Sequence, residues 1–416
     1  MAGRIPLLLT LCWATCLRTA DAHAEPPPLS LTSAVERAVQ SASYQAALAR
    51  TEAAVGALDQ ARRLPNPSLE VREENWQLND HSGDDHLDLD VFATLTQPIE
   101  LPGKRAARSA AAAASLDAAQ AERSLTARDL VMETTRVYLS ALGARELRHS
   151  LGEQREAMQT LVTAMQRRVQ EGHTAEADLM KLRSESARLD LQLAEASREL
   201  RRQTAALAVL MQDPGPVDAA RLHEPLPLEP PPAEAAAGDA LDVGRLAEIR
   251  AARARREQAQ QELQLERARR FPDPNVTAGY KRTAGLDTVV AGVSVPIPVF
   301  DRNSGNVTRA AAEERAAALD LDVLSRRAAA NTAAQLAAAR DLAARARTAD
   351  VDLLEPARVV RDAARSAFRE GAADVLRLVD AERVYAEAQR ETLDLKHEAY
   401  AQALAAHLLL NEEFRP

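Results

Sequence analysis

The side chains best suited to binding a metal ion lie in a short acidic segment around position 85. The segment combines imidazoles with carboxylates, which are donors that suit zinc or cobalt. Its members are Asp80, His81, Asp84, Asp85, His86, Asp88 and Asp90. Their spacing matches none of the regular ligand spacings of known zinc sites. We therefore predict a solvated acidic loop, with a divalent-cation site at His81, His86, Asp84 and Asp85 as the alternative.

The motifs of the common catalytic sites are missing from the sequence. There is no Gly-rich phosphate loop, no HExxH zinc motif and no nucleophile elbow. The two cysteines, Cys12 and Cys16, both lie near the amino terminus, inside a segment that we expect to be removed. A mature chain without thiols has no cysteine nucleophile and no thiolate metal site. We predict that the protein is not an enzyme and needs no cofactor.

The first 24 residues have the features of a secretory signal peptide. A basic start at Arg4 precedes a mostly apolar stretch, and Ala22 to Ala24 is a small-x-small cleavage site. The residues before Cys16 lack the pattern of a lipidated cysteine, so we expect no lipid there. The formal net charge is −9 at pH 7. An acidic exported protein is a poor binder of nucleic acid.

The sequence repeats itself after about 200 residues, which indicates two copies of one structural unit. Three landmarks recur in the same order: Ala61–Pro67 with Ala268–Pro274, Gln97–Pro102 with Val295–Phe300, and Val169–Gly172 with Phe368–Gly371. We predict a first repeat at 25–213, a Pro-rich linker at 214–240 and a second repeat at 241–416.

Each repeat is expected to contain a helix, a strand pair and a long helical hairpin. The strands are predicted near 68–77, 87–97, 275–282 and 288–296, from apolar residues that alternate with polar ones. The hairpin tips are predicted near residues 172 and 371.

The helices are predicted to be very long. The first helix, from Leu31 to Leu64, starts with Thr32 or Ser33 as its cap. At 1.5 Å per residue, 105–170 and 305–370 each span about 99 Å as single helices. So narrow a rod has no globular core of its own, and we expect its apolar stripe to pack against neighbouring chains.

The strands require other chains as well. Ten-residue strands fit a tilted membrane crossing, but four of them do not close a barrel, and open edges are not tolerated in lipid. Two copies would give eight strands with a filled interior, and three would give twelve, with room for a passage. A conducting assembly is therefore predicted to be a trimer.

Two strand-to-helix junctions carry a family resemblance that extends over nearly the whole mature chain. Residues 97–105, QPIELPGKR, and 293–306, VSVPIPVFDRNSGN, resemble those of the TolC family of outer-membrane efflux channels, most closely the cobalt–zinc–cadmium resistance branch. The resemblance implies a mostly α fold with a small transmembrane β part: a homotrimer whose 12-stranded β-barrel continues into a 12-helix periplasmic α-barrel. It also implies an outer-membrane location in a Gram-negative bacterium, and as partners a periplasmic adaptor and an inner-membrane RND-type pump.

The residues at these junctions have a structural role. Proline ends a strand because it donates no ladder hydrogen bond, and glycine permits the turn that follows. We assign this role, without any chemistry, to Pro98, Pro102 and Gly103 in the first copy and to Pro296, Pro298 and Gly305, with Asn303, in the second.

Charged residues follow the glycine at each tip. Asp178 and Arg377 occupy corresponding places with opposite charge, and so do Lys181 and Asp380. Family members often carry acidic residues at these two places, around the periplasmic mouth; here only Asp380 matches in the second copy. One hypothesis is that the opposite charges latch a closed mouth, and the other is a solvated helix face.

The predicted function is passive conduction of substrate, heavy-metal cations above all, from the pump to the outside. A type I secretion tunnel for polypeptides shares this architecture and is the first alternative. A periplasmic coiled-coil adaptor is the second, although two tandem hairpins with amphipathic strands disfavour it.

Overall fold

The chain passes twice through the same order of helices and strands. The computed structural model describes residues 28–74, 90–222, 243–283 and 285–410. The first pass consists of α1 Leu31–Val39, α2 Ala42–Ala61, β1 Ser68–Glu74, β2 Asp90–Pro98, α3 Lys104–Gln170 and α4 Glu176–Met211. The second consists of α5 Ala247–Ala268, β3 Asn275–Thr283, β4 Leu286–Ser294, α6 Ser304–Ala349, a π-helical segment Asp350–Leu354, α7 Glu355–Arg369 and α8 Val375–Leu410. Short 3₁₀ turns lie at Ala219–Arg221 and Val243–Arg245.

The first helix differs from its prediction. It is two helices, because Ser41 adopts an extended backbone and starts α2 as its N-cap. The cap of α1 is Ser30, whose side chain accepts the Ser33 N–H, while Ser33 bonds back to the Ser30 backbone. Serine side chains compete with the helix for backbone hydrogen bonds and so favour such boundaries.

The long helix of the second repeat is also interrupted. The backbone is π-helical over Asp350–Leu354, and Pro356 lies in the first turn of α7. Proline lacks the N–H of a helical residue and clashes with the preceding turn, which π segments accommodate. Lys396 on α8 pairs with Asp350 at 2.5 Å and ties this segment to the neighbouring helix. The corresponding stretch of α3 has no such break.

Two clusters of buried apolar side chains hold the helices together. The larger one lies midway along α3 and contains Tyr138, Leu142 and Leu207, all 0% exposed. The Tyr138 hydroxyl donates to the Leu29 carbonyl at 2.8 Å, so the buried phenol is satisfied. The second cluster lies toward the hairpin tip, where Val375 of the second repeat joins residues of α3 and α4. Leu393 and Tyr400 of α8 pack against the larger cluster, so both clusters join the two repeats.

The four strands form one antiparallel sheet in the order β1-β2-β3-β4. The central pair, β2 with β3, joins the two repeats. Strands β1 and β4 are at the edges and have no neighbour on their outer sides within the described chain.

The two faces of this sheet differ in polarity. Directly opposite residues share a face, and the register places the apolar ones together. The apolar residues of this face are Leu69, Val71, Val91, Ala93, Leu95, Val276, Ala278, Tyr280, Val289, Ala291 and Val293. Toward the ends of the strands the same face also carries Glu73, Gln97, Arg282 and Asp287. Its large side chains are highly exposed, Val289 by 86% and Leu69 by 70%. The other face is mainly threonine, glycine and charged residues. Among the described helices, none is long and apolar enough to cross a membrane.

Candidate functional site

The junction between β2 and α3 is fastened to the second repeat. Pro98 is the last residue of β2 and faces Asn275 in the ladder. The Ile99 N–H continues that ladder to the Pro274 carbonyl at 2.8 Å. Pro102 follows in the connection, and Gly103 begins α3 with φ +98°, a conformation that side chains disfavour. The chain thus turns from sheet to helix within five residues.

An aspartate of the second repeat anchors this turn. Asp273 Oδ1 accepts the Leu101 N–H at 3.0 Å and lies 2.9 Å from Lys104 Nζ. The Lys104 side chain is only 13% exposed. A charge-assisted contact to a largely buried ammonium is stronger than an exposed pair. The start of α3 is therefore held against the start of β3.

Arg108, one turn further along α3, caps the end of α2. Its guanidinium donates to the carbonyls of Ala61 and Arg63, each at 2.8 Å, and forms a bidentate pair with Glu100. The last carbonyls of a helix lack partners and carry partial negative charge, so a cation stabilises them. This contact fixes the angle between the short and the long helix of the first repeat.

The second junction uses different residues for the same turn. Asn303 begins α6 with φ +57°, and its amide donates to the Glu266 carbonyl at 2.9 Å and to Glu266 Oε2 at 2.6 Å. Gly305, which was expected to share the turn, lies in the first turn of α6 and has no positive φ. Asparagine tolerates the left-handed conformation, so glycine is not required there. Pro296 and Pro298 follow the end of β4.

Glu266 is the most deeply buried acid of this region, at 3% exposure. Burial raises its pKa, but hydrogen bonds from Asn303 and Arg269, with the charges of Arg269 and Arg309, outweigh burial and hold the pKa below its ordinary value. The carboxylate is therefore ionised at neutral pH and stabilises the junction in that form.

The two hairpin tips have the same backbone structure. Gly172 and Gly371 have φ of +75° and +76°. The next residue in each tip, His173 or Ala372, donates its N–H to a carbonyl five residues earlier, at 2.9 and 2.8 Å. The glycine of each tip also donates its N–H to a carbonyl three residues earlier, at 3.0 and 3.2 Å. The two bonds in each tip together form a Schellman motif, in which glycine supplies the left-handed residue. Sequence similarity between the repeats thus extends to individual hydrogen bonds.

The four charged tip residues lie in the first turns of α4 and α8. Asp178 lies 3.8 Å from Lys181 of its own helix, and Asp380 lies 3.1 Å from Arg383 of its own helix. Within the described part of one chain, Asp178 does not pair with Arg377, nor Lys181 with Asp380. The latch therefore stays a prediction about contacts between copies.

One difference between the tips is a helix cap. The Arg377 N–H donates to Asp374 Oδ1 at 3.0 Å, which caps α8. In the first repeat, Ala175 occupies the corresponding place and provides no side-chain cap.

The polar face of the sheet carries a contact that the sequence did not indicate. The Phe92 ring lies between two cations, with Arg72 at 5.1 Å and Lys281 at 4.8 Å from its centre. The three residues come from three adjacent strands and are direct partners in the ladder. Strand alternation puts Phe92 on the polar face, but only the register shows that both of its neighbours are basic.

The metal-binding alternative concerns residues outside the described part of the chain. His81, His86, Asp84 and Asp85 all fall between the described residues of β1 and β2. Elsewhere, across the described residues, no group of three or more His, Cys, Asp or Glu side chains is placed to hold a metal.

A family model and two relatives of known name agree on the family that this chain resembles. The model of the "outer membrane efflux protein" family matches residues 35–211 and 244–411, one range within each predicted repeat. The cobalt-zinc-cadmium resistance protein CzcC of Cupriavidus metallidurans is 31% identical over 67% of this chain, and the match spans 65% of that protein, just under two thirds. The nickel-cobalt-cadmium resistance protein NccC of Alcaligenes xylosoxydans xylosoxydans is 28% identical over 72% of this chain and 68% of its own length.

A solved structure has the same fold. The outer membrane protein VceC from Vibrio cholerae superposes with a TM-score of 0.74, covering 91% of this chain and 95% of its own at 24% identity. The likeness confirms the predicted fold class, mostly helical with a small antiparallel sheet. Closure of the sheet into a barrel is a property of an assembly and stays a prediction.

Proposed function

The chain belongs to the outer membrane efflux protein family, and from this membership we propose that it is the channel component of a tripartite efflux system. It would act as a homotrimer, passing substrate from an inner-membrane RND-type pump and a periplasmic adaptor to the outside. Membership in this family also argues against the alternative function as a periplasmic coiled-coil adaptor.

The observation that supports the trimer most strongly is the open sheet. Both edge strands lack an outer neighbour within the described chain, and the apolar face is exposed. Open edges are not tolerated in lipid, whereas three copies supply twelve strands and a wide interior. The apolar face would meet lipid, and the polar face, which carries Glu70, Glu74 and Asp90 beside Arg72 and Lys281, would line the passage.

The relatives CzcC and NccC are named for resistance to cobalt, zinc, cadmium and nickel. Their names favour heavy-metal cations as substrate over the polypeptides of a type I secretion tunnel. A wide passage selects weakly, so the pump would choose the cargo and the channel would conduct passively. No resident metal is part of this proposal.

The substrate is tested by the metal tolerance of cells that lack the gene. Deletion is expected to sensitise the host to cobalt, zinc or cadmium and to leave the secretion of polypeptides unchanged. Complementation with the wild-type chain should restore tolerance. A deletion strain with normal metal tolerance and impaired polypeptide secretion would favour the tunnel alternative instead.

The tip charges are proposed to hold the periplasmic mouth closed through pairs between neighbouring repeats of the trimer. Single-channel recording tests this, because Arg377→Ala or Asp380→Ala should increase the open fraction. The exchange Asp178→Arg with Arg377→Asp should restore the wild-type open fraction, since it keeps the pair. Arg198→Ala is the control, an exposed charge in an ordinary helical pair. If neither single variant changes gating, the latch hypothesis is wrong and the charges belong to a solvated helix face.

A further inference from the structure

The segment between β4 and α6 borders an open cavity of about 490 Å³ whose lining is both basic and apolar. Its basic and apolar members are Arg269, Arg270, Arg302, Ile297, Val299 and Phe300. We propose that this cavity binds a phospholipid of the periplasmic leaflet, with Arg270 and Arg302 on the phosphate and Phe300 against the acyl chains. This inference rests on the proposed function, because it takes the sheet as the part that spans the membrane.

Two of the three arginines are available to an anion. Arg269 is already paired, with its guanidinium 2.6 Å from Glu266. Among the described residues, no carboxylate lies within salt-bridge distance of Arg270 or Arg302. The Arg302 guanidinium donates only to the Pro298 carbonyl, at 3.3 Å and in an exposed position. An anion that enters the cavity would therefore not have to displace an ion pair.

The acid among the lining residues, Asp301, is engaged elsewhere. Its Oδ1 accepts the Asn303 N–H at 2.8 Å, directly before the start of α6. Three guanidinium groups against Glu266 and Asp301 leave the cavity with a net positive charge. The amino terminus of α6 adds the partial positive charge of a helix end. The cavity is therefore complementary to a negatively charged group.

The apolar face of the sheet continues past the end of β4 as far as this cavity. Val293 lies on that face, and every second residue after it is apolar, at Val295, Ile297 and Val299. All three side chains are exposed, that of Ile297 by 80%, and Phe300 is 99% exposed. The apolar surface that would meet lipid thus leads directly to the unpaired arginines.

The cavity lies at the depth where phospholipid headgroups are expected. Strand β4 has nine residues, which is about the length that a tilted strand needs to cross the apolar core, and it ends at Ser294. Aromatic side chains favour this interface, and arginine places its apolar stem in lipid and its guanidinium in the headgroup layer.

The combination of charge and apolar surface favours a lipid phosphate over a free anion. A guanidinium matches the geometry of a phosphate and binds it through charge-assisted hydrogen bonds. Inorganic phosphate would satisfy the arginines but would leave Phe300 and Ile297 in water. A phospholipid satisfies both kinds of side chain at once, because its phosphate and its acyl chains belong to one molecule.

The corresponding junction of the first repeat lacks these features. Glu100 stands where the second junction has Pro298, and its carboxylate forms a bidentate pair with Arg108. Pro102 stands where the second junction has Phe300. An internal acid thus takes the place of the phosphate, and no aromatic side chain is present. We therefore expect one such lipid site per chain, at the second junction.

Lipid binding by the detergent-extracted protein tests the site. The probe is phosphatidylglycerol, and native mass spectrometry counts the molecules that the protein retains as the lipid is titrated. Arg270→Gln with Arg302→Gln should weaken the tightest binding step by roughly tenfold, since both contacts to the phosphate are lost. Phe300→Ala should also weaken it, because the acyl chains lose their aromatic contact.

The chain offers a matched control at the same depth. Arg62 and Arg63 precede Leu64 in the first repeat as Arg269 and Arg270 precede Phe271 in the second, and both are exposed. Arg62→Gln with Arg63→Gln removes the same charge and should leave the tightest step unchanged. Excess inorganic phosphate should not displace the lipid, because it makes no apolar contact.

The outcomes separate this inference from the proposed function. Unchanged binding in the Arg270 and Arg302 variant, or an equal loss in the control variant, overturns the site. Displacement of the lipid by inorganic phosphate overturns the assignment to a phospholipid. A trimeric mass and conductance in those experiments would leave the proposed function standing, whereas a monomeric mass without conductance or retained lipid overturns both.

Discussion

The close contact between α3 and α8 at Gly143 allows us to predict whether Gly143→Ala stabilises or destabilises the protein. A Cβ on Gly143 would lie 2.8 Å from His397 Cδ2 and 3.1 Å from its Cγ and Nε2. The imidazole is held there, because His397 Nε2 lies 2.7 Å from the Leu139 carbonyl oxygen. Gly143→Ala must therefore displace a ring that is fixed by a hydrogen bond.

The free-energy gain from replacing a helical glycine and the free-energy cost of displacing His397 are similar in size, but the cost is larger. Alanine in place of a helical glycine contributes about 0.5–1 kcal/mol. Moving His397 off its rotamer costs about 0.5–1.5 kcal/mol, and weakening its hydrogen bond costs about another 0.5–1.5 kcal/mol. We expect Gly143→Ala to destabilise the protein by about 1 kcal/mol on these figures. Gly152→Ala, on the same helix with nothing within 4 Å of its Cβ, should stabilise it.

The assay is denaturant unfolding in detergent, followed by the helical circular dichroism signal. In a His397→Ala background the obstacle is gone, so Gly143→Ala should change sign and stabilise by about the helix-propensity difference of 0.5–1 kcal/mol. If Gly143→Ala stabilises the wild-type protein as much as Gly152→Ala does, the reasoning about this contact is refuted.

Three further predictions concern single positions. Asp374→Ala should cost about 1 kcal/mol through loss of the α8 cap, and Ala175→Asp should gain a similar amount by adding a cap to α4; equal unfolding midpoints for the two variants would contradict this. The pKa of Glu266 is lowered in the folded state. The ionised carboxylate therefore stabilises the fold at pH values above the ordinary carboxyl pKa, and this stabilisation is lost as pH falls through the folded pKa. Glu266→Gln should therefore destabilise at neutral pH and converge with wild type in acid, whereas a gap independent of pH would argue against an ionised carboxylate. Ala157→Pro should cost about 3 kcal/mol or more in the unbroken α3, while Pro356→Ala, at the corresponding place beside the π segment, should change stability much less; similar losses from both would show that the π segment does not accommodate the proline.

The alternation of polar and apolar residues and the positions of glycines predicted the features that depend only on local sequence. The alternation of polar and apolar residues gives strands with one exposed apolar face, as in Val289 and Val293. The glycines at 172 and 371 mark the tips because each must take a left-handed backbone. Such features depend on a few neighbouring residues, which is why the sequence alone reveals them.

Features that depend on packing were missed or misassigned. The π segment before Pro356 was not expected, because the surrounding composition is uniformly helical. Asn303, rather than Gly305, is the left-handed residue at the second junction, since its amide finds both a carbonyl and a carboxylate on Glu266. The basic neighbours of Phe92 come from other strands, so their contact depends on a register that no local pattern specifies.

The central claim is that three copies of this chain form one conducting channel. The most direct test is the mass of the detergent-extracted protein, measured together with its single-channel conductance in planar bilayers. We predict a trimeric mass and discrete, cation-preferring openings. A water-soluble monomer without conductance would contradict the account.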